Sequence, residues 1–171
     1  MQVMKYVGIF MLFLVAAIVG LILLAPEEVV FQVNEDINAP VQEVFHATTS
    51  ASELQNWING VESVNQIKGN GAEVRAEYEL HFKGEGDMVI NHKINLIEAN
   101  KQYAYTGTVT DFMEVNSNTT YEALDSNTTR ISTKMRMKPL GIKFKMFMYL
   151  EETHKKNAAA NYTRLKEYLE K

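Results

Sequence analysis

Cysteine is absent from the 171 residues, which excludes a disulfide-stapled fold, thiolate metal coordination and a cysteine nucleophile, and leaves the redox compartment open. Proline is scarce, at three residues, and the nine glycines are scattered, so no low-complexity tract or interdomain linker divides the chain. The net charge of −4 lacks the basic excess of a dedicated nucleic-acid binder, and none is expected as a partner. There is no G-x-S-x-G elbow, no H-E-x-x-H and no internal repeat. Gly69-Asn70-Gly71 and Gly84-Glu85-Gly86 fit turn chemistry better than a phosphate-binding loop.

What the chain does contain is one long uncharged run, residues 6–25. Twenty residues match the length a helix needs to cross a hydrocarbon core of roughly 30 Å. A cleaved signal peptide is the alternative, but its apolar region is shorter and ends in small residues, whereas this one ends Leu23-Leu24-Ala25-Pro26. The run is read as a retained transmembrane helix after a short flank, residues 1–5. Lys5 precedes it and Glu27 and Glu28 follow, so the basic-flank rule places the N-terminus in the cytoplasm and the domain on the outer side of the cell membrane.

Residues 26–171 are of single-domain size. Residues 29–37 read as a first strand, and Pro40 stands where a helix's first turn tolerates it, with Val41, Val44 and Phe45 at helical spacing. Ser50 with Glu53 reads as a capping box opening a second short helix toward Leu54 and Trp57. From Gly60 the period becomes two. Over residues 73–83 charged and apolar residues alternate, and after a turn at 84–87 a strand carries Met88, Ile90, His92, Ile94 and Leu96 on one face. Further strands are expected at 102–109, 113–124 and 129–138, making about seven in an antiparallel meander. Residues 143–169, without proline or glycine, return Phe147, Leu150, Ala158, Leu165 and Leu169 to one stripe and predict one long amphipathic helix.

This order of elements, with the string Ile37-Asn38-Ala39-Pro40-Val41-Gln42-Glu43-Val44-Phe45, the tryptophan of Leu54-Gln55-Asn56-Trp57 and the tail Arg164-Leu165-Lys166-Glu167-Tyr168-Leu169, resembles the START/polyketide cyclase (SRPBCC) superfamily of helix-grip proteins over about residues 29–170. The resemblance implies an α+β fold in which a curved antiparallel sheet wraps a long C-terminal helix around an apolar cavity. It also implies a hydrophobic small molecule or lipid as ligand. It does not choose between binding, transport and catalysis.

The candidate ligand-binding residues are Trp57, Tyr78, His92, Tyr105, Tyr121, Met135 and His154. His92 stands on an apolar strand face, where a polar group must find a partner or line a wet cavity. It is an orienting or proton-transfer group on one reading and a satisfied core histidine on the other. His154 lies on the stripe of the last helix, while the tyrosines, Trp57 and Met135 supply aromatic and adaptable walls. No catalytic residue, cofactor or metal is expected, because the histidines show no ligand spacing. Binding is placed ahead of two alternatives: a cyclase- or dehydratase-like enzyme, and a stress-related interaction module without ligand. Protein partners are not legible. Charge is segregated, residues 26–125 being acidic and 126–171 basic, with Arg130, Lys134, Arg136 and Lys138 on one strand face and Lys143 and Lys145 beyond. These bases either meet anionic lipid or pair with acids of neighbouring strands.

Overall fold

The computed structural model describes residues 2–84 and 88–171, the first four of these by backbone alone. The N-terminal helix α1 spans Gln2–Leu24. After it come β1 (Val29–Ile37), α2 (Val41–Thr49), α3 (Ala51–Trp57), and the meander β2 (Val61–Lys68), β3 (Glu77–Phe82), β4 (Val89–Glu98), β5 (Gln102–Val109), β6 (Met113–Ala123) and β7 (Thr129–Pro139). A 3-10 segment, Ile142–Leu150, leads into α4 (Glu151–Leu169). The seven strands form one antiparallel sheet in the order β1-β7-β6-β5-β4-β3-β2. Helices α2 and α3 carry the chain from one sheet edge to the other. This is the helix-grip arrangement, with the short helices after the first strand and the long helix at the end.

Period-two patterning accounts for the sheet. In β7, Thr129, Ile131 and Thr133 are buried while Arg130, Lys134, Arg136 and Lys138 face outward. Two places depart from the alternation. Residues 73–76 form a turn, with Arg75 at φ 73° and Val74 exposed, so β3 starts at Glu77. The pairing with β4 nevertheless continues, since Arg75 N–H donates to the Ile94 carbonyl (2.8 Å) and Ile94 N–H to that of Ala76 (3.0 Å). A register shift between Ile94 and Leu96 then sets Ile97, instead of Leu96, opposite Tyr103 and against the core. One extra residue in a strand exchanges its faces. Gly69, in the β2–β3 connection, needs to be glycine: its φ is +85°, and a Cβ there would stand 3.1 Å from the Ala76 Cα. Most of the turn expected at 84–87 lies outside the described residues.

The short helices follow their apolar spacing, Val44, Ala47, Leu54 and Trp57 being buried. The expected capping box is not formed. Ser50 Oγ bonds His46 Nδ1 (3.0 Å), so only backbone contacts start α3. The tail is likewise not one helix, because Ile142–Leu150 is wound as 3-10 and only from Glu151 does an α-helix begin. Pro139-Leu140-Gly141 ends β7, and the segment after it buries Met148 against Val29 and Met113 at the sheet's end. α4 then lies across the concave face, burying Ala158, Tyr162 and Leu165. Its end is latched to β1: Lys166 Nζ donates to the Asp36 carbonyl (2.8 Å), and Asn38 N–H to Glu170 Oε1 (2.7 Å). Residues 6–24 of α1 are long and apolar enough to cross a membrane and are not buried against the domain, a description a signal sequence also meets.

Candidate functional site

The space between α4 and the sheet is incompletely filled. A cavity of about 210 Å³ remains. Its walls are Leu80, Phe82, Ile90, Gly107, Val115 and Met135 from the sheet, Leu54, Trp57 and Ile58 from α3 and its exit, and Ala158 and Tyr162 from α4. Gly107 and Ala158 leave room because they are small. The indole of Trp57 is anchored by Nε1–H donating to the Ala47 carbonyl (2.9 Å) and stacks on Tyr162 at 6.0 Å, so it presents a fixed apolar face.

The polar groups in this wall fall into two kinds. Some are already paired. Tyr121 O–H lies 2.7 Å from Thr48 Oγ1, whose own proton points to the carbonyls of Val44 and Phe45 (3.0 Å each), so tyrosine is the donor. Tyr162 is 2.5 Å from Thr133 Oγ1, which also meets Thr119 Oγ1 at 2.8 Å. Others are less committed: Tyr105 O–H has the Ser117 hydroxyl beside it, opposite on the next strand, and among the described residues the Asn161 amide nitrogen has no partner. Asn161 Oδ1 is held by the Asn59 N–H (3.1 Å). Unpaired donors in an apolar wall are what fixes a ligand's orientation.

His92 sits deep in the wall, its Nε2 2.7 Å from the Tyr103 hydroxyl and its ring 3.9 Å from that of Tyr105, nearly parallel. Burial pushes the imidazole down to about 3, since nothing nearby compensates a buried cation, and the ring is neutral at ordinary pH. Burial also raises the hydroxyls, Tyr105 to about 12, and Tyr103 and Tyr121 well above the ordinary tyrosine value. Among the described residues no Asp, Glu, Lys or Arg lines the cavity. Its chemistry is that of neutral hydrogen-bonding groups. Among the described residues no cluster of three His, Asp or Glu could hold a metal.

Of the seven residues singled out from the sequence, the fold brings Trp57, His92, Tyr105, Tyr121 and Met135 together around this cavity. Tyr78 and His154 are elsewhere. Tyr78 is buried beside His92, ring edge to ring face at 6.2 Å, but its hydroxyl leaves the cavity and donates to the Gly71 carbonyl. His154 lies in the first turn of α4, partly exposed, with Nε2 3.0 Å from the Phe147 carbonyl. The change from 3-10 to α immediately before it turns the stripe, so that Ala158, Tyr162 and Leu165 face inward. Sequence reasoning overlooked Tyr103 and Tyr162, although Tyr103 shares a strand face with Tyr105 and Tyr162 follows Ala158 at helical spacing. It also overlooked Thr48, Thr119 and Asn161, for which no periodic signal exists. The basic strand face is partly neutralised: Arg130 grips Asp36 through two bonds of 2.7 and 2.8 Å, Arg136 is 3.6 Å from Glu28, and Lys145 pairs with Glu27.

Comparison with known proteins agrees with this geometry. Residues 28–170 match the family described as polyketide cyclase / dehydrase and lipid transport. Among solved structures, the Zhui aromatase/cyclase from Streptomyces sp. R1128 superposes with a TM-score of 0.69 at 14% identity, covering 84% of this chain and 94% of that one. A START superfamily protein from Mycobacterium smegmatis gives 0.67 at 10% identity, covering 82% and 97%. Ara h 8.0201 gives 0.66 at 17%, covering 83% and 97%. At these identities the likeness is one of fold. None of the curated proteins compared matches the chain.

Proposed function

From the premise that the chain belongs to the polyketide cyclase / dehydrase and lipid transport family, we propose that it binds a hydrophobic small molecule, or part of a lipid, in the cavity between sheet and α4. The cavity itself carries this reading: apolar walls, with the Tyr105 hydroxyl and the Asn161 amide to fix a polar end. Its 210 Å³ is below the roughly 300 Å³ at which drug-sized sites begin and above the roughly 150 Å³ dry cavity that accommodates benzene. The occupant is therefore a single substituted ring or a short stretch of alkyl chain, with a carbonyl or hydroxyl directed to Tyr105. Residues 6–25 anchor the domain, residues 26–171, to the membrane, with the domain outside. Anchoring keeps a pocket at high effective concentration of membrane-dissolved ligand, which suits holding or passing such molecules.

Catalysis of the cyclase or dehydratase kind is the second reading, favoured by the contact between His92 and Tyr103 in the wall. A base near pH 3 is badly matched to proton abstraction at neutral pH, and this places binding first. Trp57 is the sole tryptophan and faces the cavity, so its emission reports occupancy. Titrating the full chain in detergent with bromobenzene, a heavy-atom quencher of about the right size, should give saturable loss of that emission. Quenching that rises linearly without saturation would mean that the cavity takes no ligand of this class.

A further inference from the structure

Six large apolar side chains stand exposed on one short stretch: Leu140, Ile142, Met146, Phe147, Tyr149 and Leu150. Single exposed apolar residues are ordinary, but a contiguous group of this kind marks an interaction surface. The stretch is firmly seated. Met148 is buried beneath it, Phe112 meets Phe144 and Phe147 edge-on at 4.7 and 4.9 Å, and Leu140 N–H donates to the Phe112 carbonyl (3.0 Å). It also touches the end of α1. Tyr149 O–H donates to the Leu21 carbonyl at 3.1 Å, one of the last four carbonyls that a helix cannot pair internally, and Lys145 pairs with Glu27 just beyond.

We propose that residues 140–150 bed into the headgroup boundary of the bilayer, forming a second membrane contact beside α1. The inference rests on the membrane-anchor reading of α1. Continuity with that helix identifies the occupant: the exposed apolar surface of 140–150 begins where the exposed apolar surface of α1 ends. Its composition agrees, because Lys143 and Lys145 alternate with Ile142, Phe144 and Met146, and cations with long stems beside aromatic rings suit the lipid–water boundary. A consequence concerns the cavity. In the antiparallel order, β3 ends, β4 begins, β5 ends, β6 begins and β7 ends at the same end of the sheet. The wall residues Phe82, Ile90, Gly107 and Val115 therefore lie at the end of the sheet next to the 3-10 segment. Bedding 140–150 in the boundary turns that end of the cavity toward lipid, so an apolar ligand can exchange without crossing bulk water.

The absence of cysteine makes the test clean. Single variants Ile142→Cys, Phe147→Cys, Ser126→Cys and Leu14→Cys of the full chain, labelled with nitrobenzoxadiazole in phosphatidylcholine–phosphatidylglycerol vesicles, are exposed to lipids carrying shallow or deep nitroxide quenchers. Labels at 142 and 147 should be blue-shifted and quenched about twofold more by the shallow quencher than the label at 126, on the exposed β6–β7 turn at the opposite end of the sheet. Leu14 should respond to the deep quencher. If Leu14 responds while 142 and 147 behave like 126, the inference is overturned and the anchor stands. If Leu14 does not respond, the anchor reading fails and takes the inference with it. Self-quenching at 142 and 147 without lipid quenching assigns the surface to a second copy of the chain and overturns the proposal. Unaltered Trp57 emission in each variant shows that the fold is kept.

Discussion

His92 condenses the residue-scale physics of this protein. An unfolded histidine takes up its proton near pH 6.5, whereas the buried one, surrounded by Tyr78, Tyr103 and Tyr105, does so only near 3. Between those values the unfolded chain holds the extra proton, so the stability contributed is complete above about pH 6.5 and falls away as the pH drops toward 3. One such proton is worth about 1.4 kcal/mol per pH unit. Chemical denaturation of wild type and His92→Gln between pH 7 and 4 should show the wild type losing stability more steeply by about that slope; parallel pH profiles refute it. The tyrosines divide by partner. Tyr121→Phe removes a buried donor to Thr48 and should cost about 1 kcal/mol. Tyr105→Phe removes a hydroxyl that faces Ser117 across the strands and should leave stability within about 0.5 kcal/mol while weakening binding of carbonyl-bearing ligands relative to bromobenzene. Equal stability losses in the two variants contradict this division. His92 and Tyr105 were legible from alternation alone. Tyr103 as the partner of His92 and Thr48 as the partner of Tyr121 were not, because a hydrogen bond across strands or between helix and sheet leaves no periodic trace.

At the scale of elements, α4 does two jobs with neighbouring side chains. Leu165 is fully buried in the core, and Leu165→Ala should cost about 2–5 kcal/mol. Ala158 borders the cavity, so Ala158→Leu adds carbon where space already exists. Its melting temperature should stay level or rise, while saturable quenching of Trp57 by bromobenzene is lost. A variant that binds normally, or unfolds as Leu165→Ala does, contradicts the cavity's position against α4. The strands β1 and β5 were predictable to the residue, since β-branched and aromatic residues fill them and turns flank them. The start of β3 and the tail helix were not. Arg75 adopts a left-handed backbone in the turn before β3, and Ile142–Leu150 winds as 3-10 with Met148 reaching Val29 and Met113. Both are demands of packing partners far away in sequence.

For the whole molecule, the apolar helix α1 meets the grip domain along the 3-10 segment, where Tyr149 O–H donates to the Leu21 carbonyl. The proposed outward orientation predicts that Ser126→Cys, at the exposed β6–β7 turn, is labelled by a membrane-impermeant maleimide in intact cells; labelling only after lysis reverses the topology. The amino-acid sequence by itself determined the apolar helix, the α+β order, the alternating strand faces and a polar histidine among apolar neighbours, because each depends on local periodicity or on length against a fixed bilayer thickness. Only the tertiary structure decided that Gly107 and Ala158 leave a void, that Tyr105 faces Ser117 while Tyr121 bonds Thr48, and that the apolar stretch 140–150 lies beside the end of α1. Those facts depend on the distance between groups remote in the chain, and no periodicity encodes such a distance.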